Sequence, residues 1–381
     1  MSIIVKEVVG KKDLKKWVDF PNKLYKNAPA YVPFLFNDEM DTFTKTKNPA
    51  YDFCDTKLFL AYKDNKIVGR ICALINHAYN KKWNKNAMRF TRFDFIDDYE
   101  VSEALFNEVI KWAKENSLTE VMGPIGFTDL DHEGMLVEGF DELNMSITFY
   151  NHPYYIKHME RLGLTKDIDW MEFQIKVPEQ LDPRIERISE HLIQRNGYEL
   201  VTYTSRKVLL NDAFEAFKVI DEAFSVLYGT VPLTEKIINK AIADYIPLVN
   251  LKYICSVKDK DGKIIGFGIL VPSIAKALKK CNGRMVRGIF RLLKALKGKN
   301  DTLEMFLIGI TQEHQKKGVP AIIMNQIIKV CIENGVKICE TGPELETNES
   351  VQSMWKTFDT RHHKRRRCWI KTINSNQSDA N

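Results

Sequence analysis

The two halves of this 381-residue chain repeat one pattern of predicted elements, and this duplication constrains the fold more than any other feature. In the first half, residues 58–74 predict two strands joined by a turn at Asp64-Asn65. In the second half, residues 252–270 predict two strands joined at Asp261-Gly262. The elements that follow also come in the same order in both halves. Each half is therefore predicted to contain a helix, a hairpin, a strand, a helix, a strand, a helix and a strand, in that order.

Prolines interrupt the pattern between the halves, within residues 177–183. A chain of 381 residues is also too long for one ordinary hydrophobic core. We therefore expect an N-terminal module over residues 1–180 and a C-terminal module over residues 184–373. The polar segment 374–381 is predicted to be a disordered tail.

Composition is typical of a soluble globular protein, with 44% hydrophobic and 28% charged residues. No apolar run approaches the ~20 residues that span a bilayer, and the N-terminus does not have the pattern of a signal peptide. The seven cysteines are scattered and have no metal-binding spacing. These observations predict a cytoplasmic protein with free thiols and no metal site.

A predicted turn between a strand ending at residue 310 and a helix starting at residue 321 has the properties of a phosphate site. A helix start presents unpaired backbone N–H groups and the positive end of the helix dipole. Gly318 allows close approach to the backbone, Pro320 suits the first helical turn, and two lysines add positive charge. The candidate binding residues are Ile308, Gly309, Ile310, Gln315, Lys316, Lys317, Gly318, Val319, Pro320 and Ala321.

The same turn carries a family resemblance. The pattern Gln315-x-x-Gly318-x-Pro320-Ala321 resembles the Q/R-x-x-G-x-G/A loop of the GNAT acyltransferases, which holds the pyrophosphate of acetyl-CoA, although Pro320 stands where Gly or Ala is usual. Segments 20–25, 31–34 and 150–155 are similar to those of bacterial proteins with two fused GNAT-like modules. The resemblance implies an α/β fold with a mixed sheet in each of two tandem GNAT-like modules. It also implies acetyl-CoA or another acyl-CoA as cosubstrate.

The corresponding turn of the first half, residues 95–101, has no glycine and carries three acidic residues, Asp97, Asp98 and Glu100. Carboxylates at a helix start favour the dipole but repel a pyrophosphate. We therefore predict that the N-terminal module does not bind CoA and is structural or shapes an acceptor groove. Four aromatic residues are candidates for that groove or for the core: Phe149, Tyr150, Tyr154 and Tyr155.

Acyl transfer to an amine needs a base, a stabilised oxyanion and a proton for the leaving thiolate. Glu304 precedes Gln315 by eleven residues, a spacing that resembles that of the glutamate base in GNAT histone acetyltransferases. Glu340 is a second candidate base. Glu344 and Glu346 can attract a cationic amine, and all of these carboxylates are alternatively surface charge.

The general acid is less well marked. Many GNAT proteins have a tyrosine in the last helix, and counting from Asn348 places Trp355 there, which cannot protonate a thiolate. Tyr228 or water then supplies the proton, or the module binds CoA without efficient catalysis. Asn348 is expected to cap its helix, and the resemblance implies that it also contacts the pantetheine arm.

Residues 276–299 contain nine Lys/Arg and no acidic residue. Four basic residues share one helical face and five apolar residues share another: Arg284, Arg287, Arg291 and Lys294, against Met285, Ile289, Leu292, Leu293 and Leu296. A basic amphipathic helix indicates contact with an anionic surface, such as a membrane, a nucleic acid or an acidic partner. Alternatively, the apolar stripe packs on its own domain and the charges are solvated.

The predicted function is an N-acyltransferase that uses acyl-CoA, most simply acetyl-CoA, and acts on an unknown small-molecule or peptide amine. One alternative is a Fem-like aminoacyl transferase, for which the basic stretches would suit an RNA donor. However, the sequence shows no RNA-reading motif, and no specific nucleic acid is predicted. The other alternative is a non-catalytic CoA-binding or scaffold protein. The oligomeric state is left open.

Overall fold

The computed structural model describes residues 2–247 and 249–373. The predicted tail 374–381 lies outside the described residues. Contacts divide the chain into two compact units. Among the described residues, the first unit is drawn from residues 2–171, 278–288 and 363–373, and the second from residues 172–247, 249–277 and 289–362.

The elements of the first half include the predicted ones in the predicted order, and the additions are the strands β1 and β6 and the short helices α2 and α3. They are β1 (Ile4–Glu7), α1 (Gly10–Leu24), α2 (Phe36–Thr42), β2 (Cys54–Lys63), β3 (Lys66–Asn76), α3 (His77–Trp83), β4 (Ala87–Phe95), α4 (Tyr99–Glu115), β5 (Glu120–Gly123), β6 (Met135–Glu138), α5 (Tyr154–Arg161) and β7 (Thr165–Lys176).

The second half repeats this order and has further helices before its hairpin and after it. Its elements are α6 (Pro183–Asn196), β8 (Glu199–Thr202), α7 (Arg206–Phe224), α8 (Glu235–Tyr245), β9 (Ile254–Lys258), β10 (Ile264–Pro272), α9 (Ala275–Cys281), α10 (Met285–Lys297), β11 (Thr302–Ile310), α11 (Val319–Glu333), β12 (Ile338–Thr341), β13 (Glu344–Leu345), α12 (Glu349–Trp355) and β14 (Thr360–Thr372). The predicted duplication of elements is confirmed.

The sheet of the first unit runs in the order β1-β2-β3-β4-β5-β14. All these pairs are antiparallel except β4 with β5. Helix α4 buries Val101, Leu105 and Val109 against this sheet, and the three side chains have no exposed area. Their spacing of four residues places them on one helical face, which explains why this helix packs where it does.

The sheet of the second unit runs in the order β8-β9-β10-β11-β12, and the end of β7 pairs with β12. Only β11 and β12 are parallel among the neighbours from β8 to β12. Helix α11 is apolar around most of its surface and buries Val319, Ile322 and Ile323 in the core of this unit. A helix of this kind is stable only when it is enclosed by its domain.

The last strand of each sequence half contributes to the sheet of the opposite unit. Strand β14 ends the second half, yet Trp369 pairs with Gly123 of β5 in the first unit. Strand β7 ends the first half, yet Ile175 pairs with Cys339 of β12 in the second unit. The modules 1–180 and 184–373 stay a prediction, because the compact units take residues from both halves.

All seven cysteines are free, as predicted, and all of them are buried. Within residues 2–247 and 249–373, no helix is both long enough and apolar enough to cross a membrane.

Candidate functional site

Strands β11 and β12 pair for only part of their length, and this creates an opening in the second unit. Their ladder runs from Thr302–Ile338 to Met305–Thr341 and ends there. The ladder between β11 and β10 continues to Ile310–Gly266. The edge of residues 306–310 that faces away from β10 therefore extends past the end of β12.

A β-bulge lies at the point where the two strands part. In the register with β10, Leu307 pairs with Ile269 and Met305 pairs with Leu270, so Phe306 is the extra residue. A bulge bends its strand and increases the local twist. We infer that the bulge turns the end of β11 away from β12. The sequence showed no signal for it, because Phe306 is part of an uninterrupted apolar run.

The predicted phosphate loop follows this diverging end of β11. A single 3₁₀ turn, Gln312–His314, leads to Gly318, and α11 begins at Val319. The amides of Ala321 and Ile322 both donate to the carbonyl of Gly318. The backbone N–H groups of Gly318 and Val319 therefore lie before the first hydrogen bonds of the helix. Pro320 has no N–H group to offer.

The side chains of the loop differ in whether they already have a partner within the protein. Lys317 pairs with Glu313 at 2.6 Å, and both are exposed. Gln315 turns back to donate to the carbonyl of Ile310 at 3.4 Å. Lys316 is exposed, and within the described part of the chain it has no carboxylate partner. Lys316 is therefore the loop cation best placed for an incoming anion.

Gly318 is required by the fold itself. Its φ of +84° is in the left-handed region, where only glycine is comfortable. A Cβ atom on this residue would also lie 2.6 Å from Cδ1 of Leu192 on α6. The glycine in the sequence motif is therefore explained by backbone conformation and helix packing, and it does not by itself indicate a ligand.

The two predicted base candidates lie side by side on β11 and β12, where Glu304 and Glu340 are register partners. Glu304 is 1% exposed, and its Oε1 accepts a 2.7 Å hydrogen bond from the hydroxyl of Ser273. Glu340 accepts a hydrogen bond from the side-chain amide of Gln174 at 3.2 Å. Both carboxylates thus lie within the paired part of the ladder, before the strands separate.

Glu344 lies just beyond the end of β12 and has the most distinctive environment of the carboxylates near the opening. Burial raises the pKa of Glu344 to about 8, although hydrogen bonds from Trp355 and Thr341 act in the opposite direction. The indole Nε1 of Trp355 donates to both carboxylate oxygens, at 2.9 and 3.0 Å. The residue that replaces the expected tyrosine therefore holds a carboxylate. Neither residue was assigned this role from the sequence.

The remaining predicted residues lie on two different elements of the second unit. Asn348 precedes α12, and its side-chain oxygen accepts from the amide of Val351 at 3.4 Å, so the predicted helix cap is confirmed. Tyr228 lies in the turns that follow α7 and is partly buried. Their roles toward CoA and the leaving thiolate stay predictions.

Comparisons with known proteins extend over nearly the whole chain, although no family model matches it. Protein YghO of Escherichia coli (strain K12) is 26% identical over 384 residues, which cover 97% of this chain and 95% of YghO. A bacterial ceramide synthase of Caulobacter vibrioides (strain NA1000 / CB15N) is 23% identical over 372 residues, 95% of each chain. A solved tandem GNAT protein from the clavulanic acid biosynthesis pathway covers 99% of this chain and 100% of its own, with a TM-score of 0.58 and 11% identity. This chain is a tandem GNAT-fold protein.

The first unit has its own opening, where the ladder of β4 and β5 ends at Arg89–Met122 while β4 continues to Phe95. The acidic loop that follows is engaged with the protein. Asp98 caps α4 by accepting a hydrogen bond from the amide of Glu100, and it pairs with Lys63 at 2.7 Å. The hydrogen bond from Lys63 lowers the pKa of Asp98. The absence of CoA binding by this module stays a prediction.

A narrow cleft, partly open to solvent, lies at this first opening. Three of the four aromatic residues predicted for a groove line it: Phe149, Tyr150 and Tyr155. The hydroxyl of Tyr155 lies 2.7 Å from that of Tyr25, which donates to Asp94 at 2.7 Å. Burial raises the pKa of both tyrosines well above the usual value. This hydrogen-bonded cluster favours a packed wall for the cleft.

Residues 362–367, a run of two histidines, a lysine and three arginines, form part of β14 and are largely used in structural contacts. Arg366 is fully buried and donates to the carbonyl of Phe149 and to Asn144. Arg367 makes a bidentate pair with Asp169 at 2.7 and 3.0 Å. Within residues 2–247 and 249–373, no group of three or more His, Cys, Asp or Glu is arranged to hold a metal ion.

Proposed function

We propose that the protein is an acyl-CoA-dependent N-acyltransferase whose donor site is the opening between β11 and β12. The observation that carries this proposal is the strand edge of residues 306–310, which continues beyond β12 and leads directly into the loop before α11. The tandem GNAT fold supports an acyl-transfer scaffold, and the local geometry supports this location for the donor.

The chemistry of CoA fits these residues. Its pantetheine arm contains two amides in an extended chain, which can pair with the backbone of a free strand edge as an added strand does. Its pyrophosphate suits the amides that precede the ladder of α11 and the exposed Lys316. Acetyl-CoA and longer acyl-CoA share these groups, so the opening itself does not select the acyl chain.

Glu344 is the base that this geometry favours over Glu304 and Glu340. A general base works best when its pKa lies near the working pH, and burial places that of Glu344 at about 8. Its carboxylate would take a proton from the acceptor ammonium group. The amine lone pair would then form a C–N bond at the thioester carbonyl, the C–S bond would break, and the leaving thiolate would take up the proton that the attacking nitrogen releases. The products are an amide and CoA.

We propose an amine carried on an apolar chain as the acceptor. Support comes from the name of one relative, a bacterial ceramide synthase, because ceramide is a long-chain amino alcohol acylated on its nitrogen. The relative is 23% identical to this chain over 372 residues. The name of the other relative, Protein YghO, indicates no substrate.

The proposal is tested by incubating the full chain with acetyl-CoA or a long-chain acyl-CoA and a panel of amines. The panel pairs long-chain amino alcohols with short amines, polyamines and amino acids. Release of free CoA thiol and the mass of the amide report transfer. Thermal melts with acyl-CoA and with tRNA serve as controls for the donor, since ligand at 100 times Kd should add about 2.7 kcal/mol. Stabilisation by tRNA alone would favour the aminoacyl transferase. Acyl-CoA binding without transfer to any amine would favour the scaffold.

A further inference from the structure

Helix α10 carries two apolar stripes, and only one of them packs against the protein. Leu292 and Leu296, one turn apart, are 5% and 8% exposed. The second stripe faces solvent, and Val286 and Phe290 are 92% and 85% exposed. Ile289 and Leu293 complete this stripe, each with 37% exposure.

The solvent-facing residues form a continuous strip along the helix, because their numbers, 286, 289, 290 and 293, follow the helical repeat. Packing of α10 against the protein explains the buried leucines and leaves this strip unexplained. Single exposed apolar side chains are ordinary, whereas contiguous exposed patches mark interaction sites. We therefore expect an apolar environment outside the chain to cover this strip.

The charge around the strip is strongly positive. Residues 276–299 contain nine basic residues and no acidic ones. Six of them are exposed and, among the described residues, have no carboxylate partner: Lys276, Lys280, Arg291, Lys294, Lys297 and Lys299. At about 100° per residue, Arg291 and Lys294 flank the exposed strip on the side opposite Leu292.

We propose that α10 lies in the headgroup region of an anionic phospholipid surface, with Val286 and Phe290 directed into the acyl boundary. A helix of 13 residues is too short to span a bilayer but suits an interfacial position. Anionic headgroups match the unpaired cations, and the acyl boundary accepts the apolar strip. A second copy of the chain would bring the same positive charge to the contact, and a nucleic acid offers no comparable apolar phase. The proposal rests on the helix alone and is independent of acyl transfer.

The test is flotation of the full chain with vesicles of phosphatidylcholine, with and without phosphatidylglycerol. We expect binding to the anionic vesicles only, and weaker binding as salt rises. The double variant Val286→Ser/Phe290→Ser should lower the partition coefficient by about tenfold or more. Val208→Ser on α7, also an exposed valine on a helix, is the matched control and should bind like wild type.

The charge component is tested separately. Arg291→Gln and Lys294→Gln should each weaken binding by about fivefold. Lys111→Gln, which alters an exposed lysine on α4, should have no effect. Circular dichroism and thermal melts of all variants should match wild type, because the altered side chains are exposed.

Equal binding to neutral and anionic vesicles, no binding to either, or undiminished binding of the Val286→Ser/Phe290→Ser variant would overturn the proposal. Self-association that the double variant abolishes, without any vesicle binding, would also overturn it and assign the strip to a second copy of the chain.

Discussion

At the scale of single residues, the carboxyl group of Glu344 links folding to the proposed chemistry. It is confined near the opening by Trp355 and Thr341, and its pKa is raised to about 8. Glu133 in the first unit also has a pKa raised to about 8 by burial, and repulsion from Asp129 adds to the shift. The two residues therefore share an electrostatic property, and only Glu344 lies at the proposed donor site.

Replacing Glu344 with glutamine should lower the acyl-transfer rate by ~10²–10⁴. The wild-type rate should rise with pH through an apparent pKa of about 8, as the carboxyl group ionises, and this dependence should be absent from the variant. Glu133→Gln is the control and should keep both the rate and its pH profile. A Glu344→Gln enzyme with an unchanged rate would return the base role to Glu304 or Glu340.

The same shift has a consequence for stability. A carboxyl group whose folded pKa is raised stabilises the fold when protonated, and this contribution is lost as pH rises from about 4.5 to about 8. Relative to wild type, Glu344→Gln should therefore gain stability across this interval, by about 1–3 kcal/mol after allowance for partial exposure. Urea unfolding at pH 5 and pH 8 measures the change. An equal difference at both pH values would show that the pKa is not raised.

At the scale of elements, the turn between β11 and α11 depends on a glycine for two separate reasons. Gly318 combines a φ of +84° with close packing against Leu192. Gly262, in the β9–β10 turn, has a similar φ of +79°, but no atom lies within 4 Å of the position that a Cβ atom would take there. Comparison of the two positions separates backbone strain from packing.

Gly318→Ala should reduce the free energy of unfolding by about 1–2 kcal/mol from the left-handed backbone, with a further loss from displacement of Leu192. Gly262→Ala should show only the loss that comes from the left-handed backbone. Denaturant midpoints of the two variants provide the measurement. If both variants lose the same stability, the contact with Leu192 contributes nothing, and the packing explanation of the motif glycine is wrong.

At the scale of the whole molecule, each unit includes a strand from the other half of the sequence. A fragment of residues 184–381 lacks the end of β7 that pairs with β12. It also lacks β5, the partner of Trp369 and Ile370 in β14. Unpaired edges of this kind favour aggregation.

We therefore expect fragment 184–381 to be insoluble alone and to become soluble when it is co-expressed with fragment 1–183, which supplies β5 and β7. Co-purification of the two fragments is the measurement. A soluble fragment 184–381 that melts cooperatively without its partner would show that the strands are dispensable.

Local patterns account for what the sequence could predict. The duplicated hairpins, the turn before α11 and the cap at Asn348 each depend on residues close together in the chain. The bulge at Phe306 depends on the register between two strands, and the contact of Trp355 with Glu344 spans 11 residues between two elements. The pairing of β14 with β5 joins the last strand of the second half to a strand inside the first half. Such pairings leave no periodic signal in a single sequence.

Donor binding at the opening of the second unit is tested most directly by titration calorimetry of acyl-CoA against wild type, Lys316→Glu and Lys329→Glu. Lys329 is an exposed lysine on the same helix, α11, and controls for the change in net charge. Reversal of the loop charge should weaken acyl-CoA binding by about tenfold or more, because it places a carboxylate beside the pyrophosphate. Lys329→Glu should bind like wild type. Equal affinity of Lys316→Glu and wild type, or no acyl-CoA binding by the wild-type chain, would contradict the assignment of the donor site.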